Sequence, residues 1–432
     1  MNQQILEALQ SGRLEEAETA ALAEVERDPH DSLSWSVLSV IAAQRGDLPL
    51  AIERSDRALA VGPADVGLWI NRGNLERLRG AREDARLAYE KVLELAPEND
   101  AAAFNLGALA EEDQDWQAAE SRYRSILRRR PDHPETLYNL ARLVGRSGSE
   151  DEAITLYDRA LESSPFHADS WRNRGHLLRR LGRDDEAAAS YRHVLELDPS
   201  DATCRHLLAA LEGAALDSAE PAYVSALFDR FAATYDHDFC ERLGYEAGSR
   251  LARDVLEVAD GCKELVRVLD LGCGTGLFLD SLVQGMHPAG LGISATGVDL
   301  SQEMLAKAAE RGLYETLERG DLIEWTVRSA EQFDLVALAD VLIYVGALGP
   351  LLESVRPRLA PGGLLAFTVE RGAESGPSHE LRRSGRFAHS PTSVRELLEE
   401  SGFLVRSWKE GTLRREKGSP VAGLYVVGSL GR

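Results

Sequence analysis

Residues 266–277, Val266-Arg-Val-Leu-Asp270-Leu-Gly272-Cys273-Gly274-Thr-Gly276-Leu277, decide the fold of the second half of this chain. An apolar run ends on an acid, three glycines follow at alternate positions, and a helical pattern opens at Leu277. Strand, glycine-rich turn and helix in that order bring backbone amides close to a ligand and point a helix N-terminus at its negative group. The stretch therefore predicts a nucleotide-type cofactor. A second acid, Asp299, ends the next apolar run, about 20 residues beyond Gly276. Its carboxylate is placed to accept hydrogen bonds from both hydroxyls of a ribose.

Further apolar runs, FDLVALAD at 333–340 and GLLAFTVE at 363–370, alternate with helical stretches. Parallel strands buried on both faces read this way, so the expected fold class is an α/β doubly wound sheet. Two cofactors compete for the turn. The dinucleotide fingerprint GxGxxG needs a third glycine at position 277, where this chain has Leu277. Asp270-x-Gly-x-Gly-x-Gly276, with its acid two residues before the first glycine, instead resembles motif I of class I S-adenosylmethionine-dependent methyltransferases. In that family the turn holds the methionine end of the cofactor and the next acidic strand end carries the ribose.

The resemblance extends along the domain. Gly320-Asp321-Leu322 resembles the loop that contacts adenine, with Asp321 at the exocyclic amine and Leu322 acting through its backbone. Phe333-Asp334-Leu-Val336 to Asp340 resembles motif IV, and Leu359-Ala-Pro361-Gly362-Gly363 the turn before strand five. Phe403 to Gly411 and Pro420 to Ser429 read as two strands, like the antiparallel hairpin that ends the methyltransferase sheet. The implied cofactor set is Asp270, Gly272, Cys273, Gly274, Gly276, Asp299, Leu300, Asp321, Leu322 and Asp340, with Cys273 serving by its small size.

The first half is a different object. Pro29, Pro63, Pro97, Pro131, Pro165 and Pro199 recur at one constant interval. Ala17 to Ala187 keep the same period, as do Trp35, Trp69, Ala103, Leu137 and Trp171. Gly12, Gly46, Gly80, Gly148 and Gly182 mark a turn within each unit, with Gln114 once replacing glycine. Alanine lets helix backbones approach, the aromatic or leucine fills the space between hairpins, and proline stops the unit. A period of about 34 residues and these residue types resemble the tetratricopeptide repeat, a helical hairpin. Five full repeats are expected over 32–200, with a divergent leading hairpin and a closing helix over 202–212. The resemblance implies a surface for a protein or peptide partner. Asn71, Asn105, Asn139 and Asn173, each two positions after the anchor, are groove candidates, or else simply common at that repeat position. A small, polar stretch, GAALDSAEP from Gly213 to Pro221, suggests the organisation 1–213 array, 214–222 linker, 223–432 methyltransferase domain.

Composition limits the partners. The net charge of −22 is shared by both halves, which argues against binding nucleic-acid phosphates. Cys204, Cys240, Cys262 and Cys273 are too scattered for a disulfide framework and form no CxxC pair, so a reduced, cytoplasmic setting without a metal centre is expected. The start, MNQQILEALQSGRLEEAE, lacks the basic and apolar regions of a secretory signal. The most apolar stretch, 335–352, carries Asp340 and two glycines and reads as strand plus helix rather than a membrane span.

The pieces Phe228-Asp229-x5-Tyr235-Asp236, Asp340-Val-Leu-Ile-Tyr344 and Phe387-Ala-His389-Ser390 resemble bacterial methyltransferases that carry tetratricopeptide repeats. Tyr235, His237, Tyr344 and His389 are candidates for the substrate pocket, or otherwise caps, surface or core residues. A methyl group on a sulfonium is already activated, so alignment supplies much of the rate, and a general base is needed only for an acceptor protonated at neutral pH. His389 and Tyr235 are the candidates for that role. After the fourth strand, Ala339-Asp340-Val341-Leu342 is not the (Asp/Asn/Ser)-Pro-Pro-aromatic turn of many amide N-methyltransferases. A small metabolite or a protein remains as acceptor. The alternatives are a non-catalytic cofactor-binding scaffold and a nicotinamide-dependent oxidoreductase.

Overall fold

A computed structural model describes residues 2–236, 246–259, 266–286, 292–416 and 418–431. The first helices of the five repeats, Ser32–Gln44, Val66–Leu78, Asp100–Glu112, Pro134–Arg146 and Ala168–Arg180, begin one repeat period apart, as do the second helices from Leu48–Val61 to Asp184–Leu197. Each first helix is capped by a side chain at the same repeat position. Asp31, Asp65, Asn99, His133 and His167 accept backbone N–H groups of the first turn, which satisfies donors the helix itself cannot. Ala17, Ala51, Ala85, Ala119, Ala153 and Ala187 are fully buried, as their close-approach role requires. Trp35, Trp69 and Trp171 also donate their indole N–H to the carbonyl of Pro29, Pro63 and Pro165, at 3.0, 2.8 and 2.9 Å.

A second packing column is tyrosine. Tyr89, Tyr123, Tyr157 and Tyr191 are buried at the same position of successive repeats. A Cβ at Gly73 or Gly107 would fall 2.5 or 2.7 Å from the ring of Tyr89 or Tyr123, so glycine makes room for the ring. The four asparagines are half-buried and bonded within the array. Asn71 donates to Ser36 Oγ (3.1 Å), Asn105 to Asn74 Oδ1 (3.5 Å) and Asn173 to Tyr138 (3.0 Å), while Asn139 bonds Tyr123.

The turn glycines adopt positive φ, and Gln114 does so too, at 60°. An L-residue there is strained by roughly 1–2 kcal/mol, of which glycine's extra unfolded-state entropy offsets about half. Gln114→Gly is therefore expected to stabilise the array by about 0.5–1 kcal/mol, read from the urea midpoint of the helical transition. An unchanged or lower midpoint would show that the turn carries no strain.

The chain divides into two compact units, Met1–Gly182 and Arg183–Arg432. The helices Asp184–Leu197 and Ala202–Glu212 thus group with the sheet rather than with the preceding hairpins. His206 explains part of this. Its ring stacks on Tyr223 at 4.2 Å between centroids and its Nε2 donates to the Gly385 carbonyl at 2.8 Å. Residues 214–222 are pinned to the same unit: Gly346 and Ala347 donate to the Asp217 carbonyl (2.8 and 2.7 Å), and Ala219 donates to that of Tyr344 (2.9 Å). A helix, Pro221–Phe231, follows at once.

Among the described residues, nine strands form one sheet: β1 (Val266–Leu271), β2 (Ile293–Asp299), β3 (Thr316–Arg319), β4 (Phe333–Leu338), β5 (Leu359–Arg371), β6 (His379–Leu381), β7 (Phe387–His389), β8 (Phe403–Glu416) and β9 (Ser419–Leu430). Their order is β3-β2-β1-β4-β5-β7-β6, with β9 antiparallel on β5 and β8 on β9. Strands β1 to β5 are parallel, and their central residues, such as Leu269, Val336 and Leu365, are fully buried. Strand order reverses between β1 and β4, so the ligand crevice of a doubly wound sheet opens at the carboxyl ends of these strands. Among the described residues no helix is long and apolar enough to cross a membrane.

Candidate cofactor and acceptor site

Asp270, next to last in β1, is completely buried. Its Oδ2 accepts the Tyr314 hydroxyl at 2.7 Å, whereas Oδ1 is buried with no hydrogen-bond partner. Burial pushes this carboxyl up to about 7, opposed by the Tyr314 bond and reinforced by Asp299. Next comes the turn. Gly272 and Cys273 both donate to the Val298 carbonyl (2.7 and 3.1 Å), and Gly274 N–H donates to Asp299 Oδ2 (2.9 Å). The other Asp299 oxygen accepts Ser301 N–H at 2.9 Å, so this acid ties the turn to the end of β2. Burial raises Asp299 as well, with the backbone N–H groups opposing.

The residues fit S-adenosylmethionine. Gly272, Gly274 and Gly276 have φ of 72°, 54° and 88°. A Cβ at Gly272 would lie 2.4 Å from Val341, while one at Gly274 would meet nothing within 4 Å, so the turn is tight underneath and open above. Asp270 Oδ1 offers an unused acceptor there. In the unfolded chain Asp270 ionises near ~3.9, but the folded chain holds its proton to about 7. The stability this contributes is complete below about pH 4 and lost as pH rises towards 7. Without cofactor, the melting temperature of the second unit should fall from about pH 5 to about pH 7.5 more steeply than in Asp270→Asn. Calorimetric scans with identical slopes would show that Asp270 titrates normally.

The segment after Pro221 covers the site. Ser301 Oγ donates to Asp229, Ser225 Oγ to the Leu300 carbonyl (3.3 Å), and Thr275 Oγ1 to Asp236 (2.5 Å). Arg311 bridges Asp236, Asp280 (3.1 Å) and the Thr275 carbonyl (2.6 Å). The Leu300 carbonyl also accepts Arg319 Nε at 3.0 Å. Sequence reasoning passed over Tyr314 and Arg311, which lie in no motif. Asp321 caps the helix Leu322–Arg328, accepting Ile323 and Glu324 N–H at 2.9 and 3.1 Å, both through Oδ1, and Leu322 is buried.

On the other side of the crevice, Asp340 has φ 60°, and its N–H donates to Thr368 Oγ1 at 2.8 Å. Its buried carboxylate lies 3.6 Å from Arg414 Nη1. Burial pushes it up to about 6, against the pull of Arg414 and Arg386. Asp340 therefore faces an arginine network, a setting the motif resemblance does not describe. Tyr344, buried, meets Phe228 edge-on at 5.5 Å and bonds Arg386. Tyr235 is half-buried, its ring 6.1 Å from Phe228, and burial followed by the charges of Asp340 and Tyr344 pushes its hydroxyl up. His237 lies outside the described residues.

His389 does not suit the role of base. It is buried at the end of β7, and its Nε2 donates to the Val345 and Gly346 carbonyls at 2.9 and 3.1 Å. Burial pulls it down to about 4, too weak a base to hold a proton near neutral pH. The imidazole instead clamps β7 to the loop after β4.

Residues 269–365 match the family model for a methyltransferase domain, and residues 2–66, 70–134, 104–166 and 138–202 match the tetratricopeptide repeat model. A trans-aconitate 2-methyltransferase of Mycobacterium tuberculosis is 29% identical over 187 residues, 39% of this chain and 68% of that enzyme. The enzyme of the same name from Pseudomonas aeruginosa is 37% identical over 118 residues, 26% of this chain and 40% of its own. A ubiquinone biosynthesis O-methyltransferase of Thiobacillus denitrificans is 31% identical over 158 residues, 32% and 64% of the two chains. Sheet order and family model together show a class I S-adenosylmethionine-dependent methyltransferase domain. The chain joins that domain to an array of tetratricopeptide repeats.

Proposed function

We propose that this protein methylates a small-molecule acceptor and that its repeat array holds a protein or peptide partner. The observation that carries the first part is the pair of buried acids, Asp270 and Asp299, flanking a positive-φ glycine turn, with Asp270 Oδ1 left without a partner. S-adenosylmethionine, when bound, supplies a methyl group already activated on a sulfonium.

The chain's own residues have the remaining tasks. Asp299 accepts the ribose hydroxyls, Asp270 and the turn take the methionine end, and Asp321 and Leu322 take the adenine. The segment carrying Phe228 and Tyr235 excludes water, tied down by Asp229 and Asp236. Tyr344, beside Phe228, closes the acceptor side. With His389 held neutral as a clamp, the site works by alignment on an acceptor that needs no base.

A small acceptor is favoured by the names of the relatives. The array supports a partner because stacked hairpins present an extended concave surface. The buried thiol of Cys273 fits a reducing, cytoplasmic setting. Incubating the full chain with methyl-labelled S-adenosylmethionine and a cell extract separated by size tests the acceptor class. Label should enter the small-molecule fraction. Label found only in protein would overturn the small-acceptor reading.

A further inference from the structure

At the carboxyl end of β5 an open, mainly polar cavity of about 470 Å³ lies between the β6–β7 turn, the end of β8 and the start of β9. Arg371, Arg382 and Arg383 line it, in a chain whose net charge is −22. Arginine presents a planar fork of donors that matches a carboxylate.

Glu370 and Glu416 line the cavity too, and both are already engaged. Glu370 gives one oxygen to Arg382 (2.7 Å) and the other to Arg414 (2.6 Å), and Glu416 accepts from Arg414 Nε (2.8 Å) and from Arg386. Two buried guanidinium nitrogens lack a hydrogen-bond acceptor: Nη1 of Arg414, which is 1% exposed, lies 3.6 Å from Asp340, and Nε of Arg371 lies 3.5 Å from the exposed Glu410. The outer partners, Glu374 on Arg371 and Glu380 on Arg382, are solvent-exposed, and the exposed Arg383 pairs with Asp184. Such pairs contribute little and give way to a ligand. A line of ion pairs, Arg382–Glu370–Arg414–Asp340, runs from the lining of the cavity to Asp340.

We infer that this cavity binds carboxylate groups of the methyl acceptor, so that the acceptor is an anionic, carboxylate-bearing small molecule. The inference rests on the methyltransferase reading and adds its substrate class. The full-length protein, saturated with S-adenosylhomocysteine, is titrated calorimetrically with a panel of mono-, di- and tricarboxylates, trans-aconitate among them, and with their methyl esters.

At least one acid should bind and its fully esterified form should not. Arg382→Gln and Arg383→Gln should each weaken the acid about tenfold or more and leave S-adenosylhomocysteine affinity unchanged. Both side chains reach solvent, at 36% and 77% exposure, and Glu370 keeps its bond to Arg414 when Arg382 is replaced. The assignment is overturned if no acid binds, if ester and acid bind alike, or if both variants bind the acid as the parent does. Failure of S-adenosylhomocysteine itself to bind would instead overturn the methyltransferase reading.

Discussion

Arg414→Met is expected to lower the stability of the second unit by about 3–5 kcal/mol, the usual effect of removing one partner from a buried ion pair. Arg414 is 1% exposed, Glu370 and Asp340 only 4% and 6%, and both acids depend on its guanidinium. Methionine fills a similar volume but leaves two buried acids facing each other. They would have to take up protons or draw in water, and Glu370 would keep only Arg382. Urea unfolding followed by tryptophan fluorescence measures the effect, with the array's transition fitted separately because the two units need not unfold together. Adding Glu370→Gln to the variant should recover part of the loss, since one uncompensated charge is gone. A loss below about 1 kcal/mol would mean that the network is hydrated and does not hold the β5–β9 edge together.

Asp299→Ala is expected to weaken S-adenosylhomocysteine by about 100-fold or more, since two charge-assisted hydrogen bonds at roughly 1.5–3 kcal/mol each are lost. The structure adds a second consequence. Gly274 and Ser301 donate to this carboxylate, so alanine also releases the turn and costs about 1–3 kcal/mol of stability. Asp299→Asn, which keeps one acceptor oxygen, should restore much of the fold while leaving affinity low. Calorimetric titration of both variants beside thermal unfolding separates the effects. Parental affinity in a folded alanine variant would remove Asp299 from the site.

How far sequence alone reaches is shown by where its readings held. The regular spacing of the prolines located every hairpin, because proline ends a helix wherever it stands. The glycine turn and the acids at the ends of β1 and β2 were equally legible, since strand, tight turn and strand-end acid are all local features. The terminal hairpin was visible too, although β8 ends at residue 416 and β9 begins at 419, closing more tightly than strands ending at Gly411 and resuming at Pro420 suggested.

Arg414 was not legible. In LRREKG it reads as solvent-exposed, yet a register shift between Thr412 and Arg414 breaks the alternation of β8 and buries Leu413 and Arg414 in succession. The same holds for the short β6 and β7, which exist because the tail of β5 pairs with β7 and β7 with β6. His389, a pocket candidate or else a core residue from sequence alone, has neighbours in space, Val345 and Gly346, that are remote from it in the chain, and they make its ring a buried clamp. His206 likewise makes its bonds far along the chain, at Gly385, so the closing helix seemed to belong only to the array.

The central claim is that the crevice at β1, β2 and β4 holds S-adenosylmethionine. Titrating the full-length protein with S-adenosylhomocysteine, and separately with NADH, addresses it most directly. One molecule of S-adenosylhomocysteine should bind per chain, with thermal stabilisation of about 2.7 kcal/mol at roughly 100 times its dissociation constant, and NADH should produce neither heat nor shift. Binding of NADH without binding of S-adenosylhomocysteine would contradict the account.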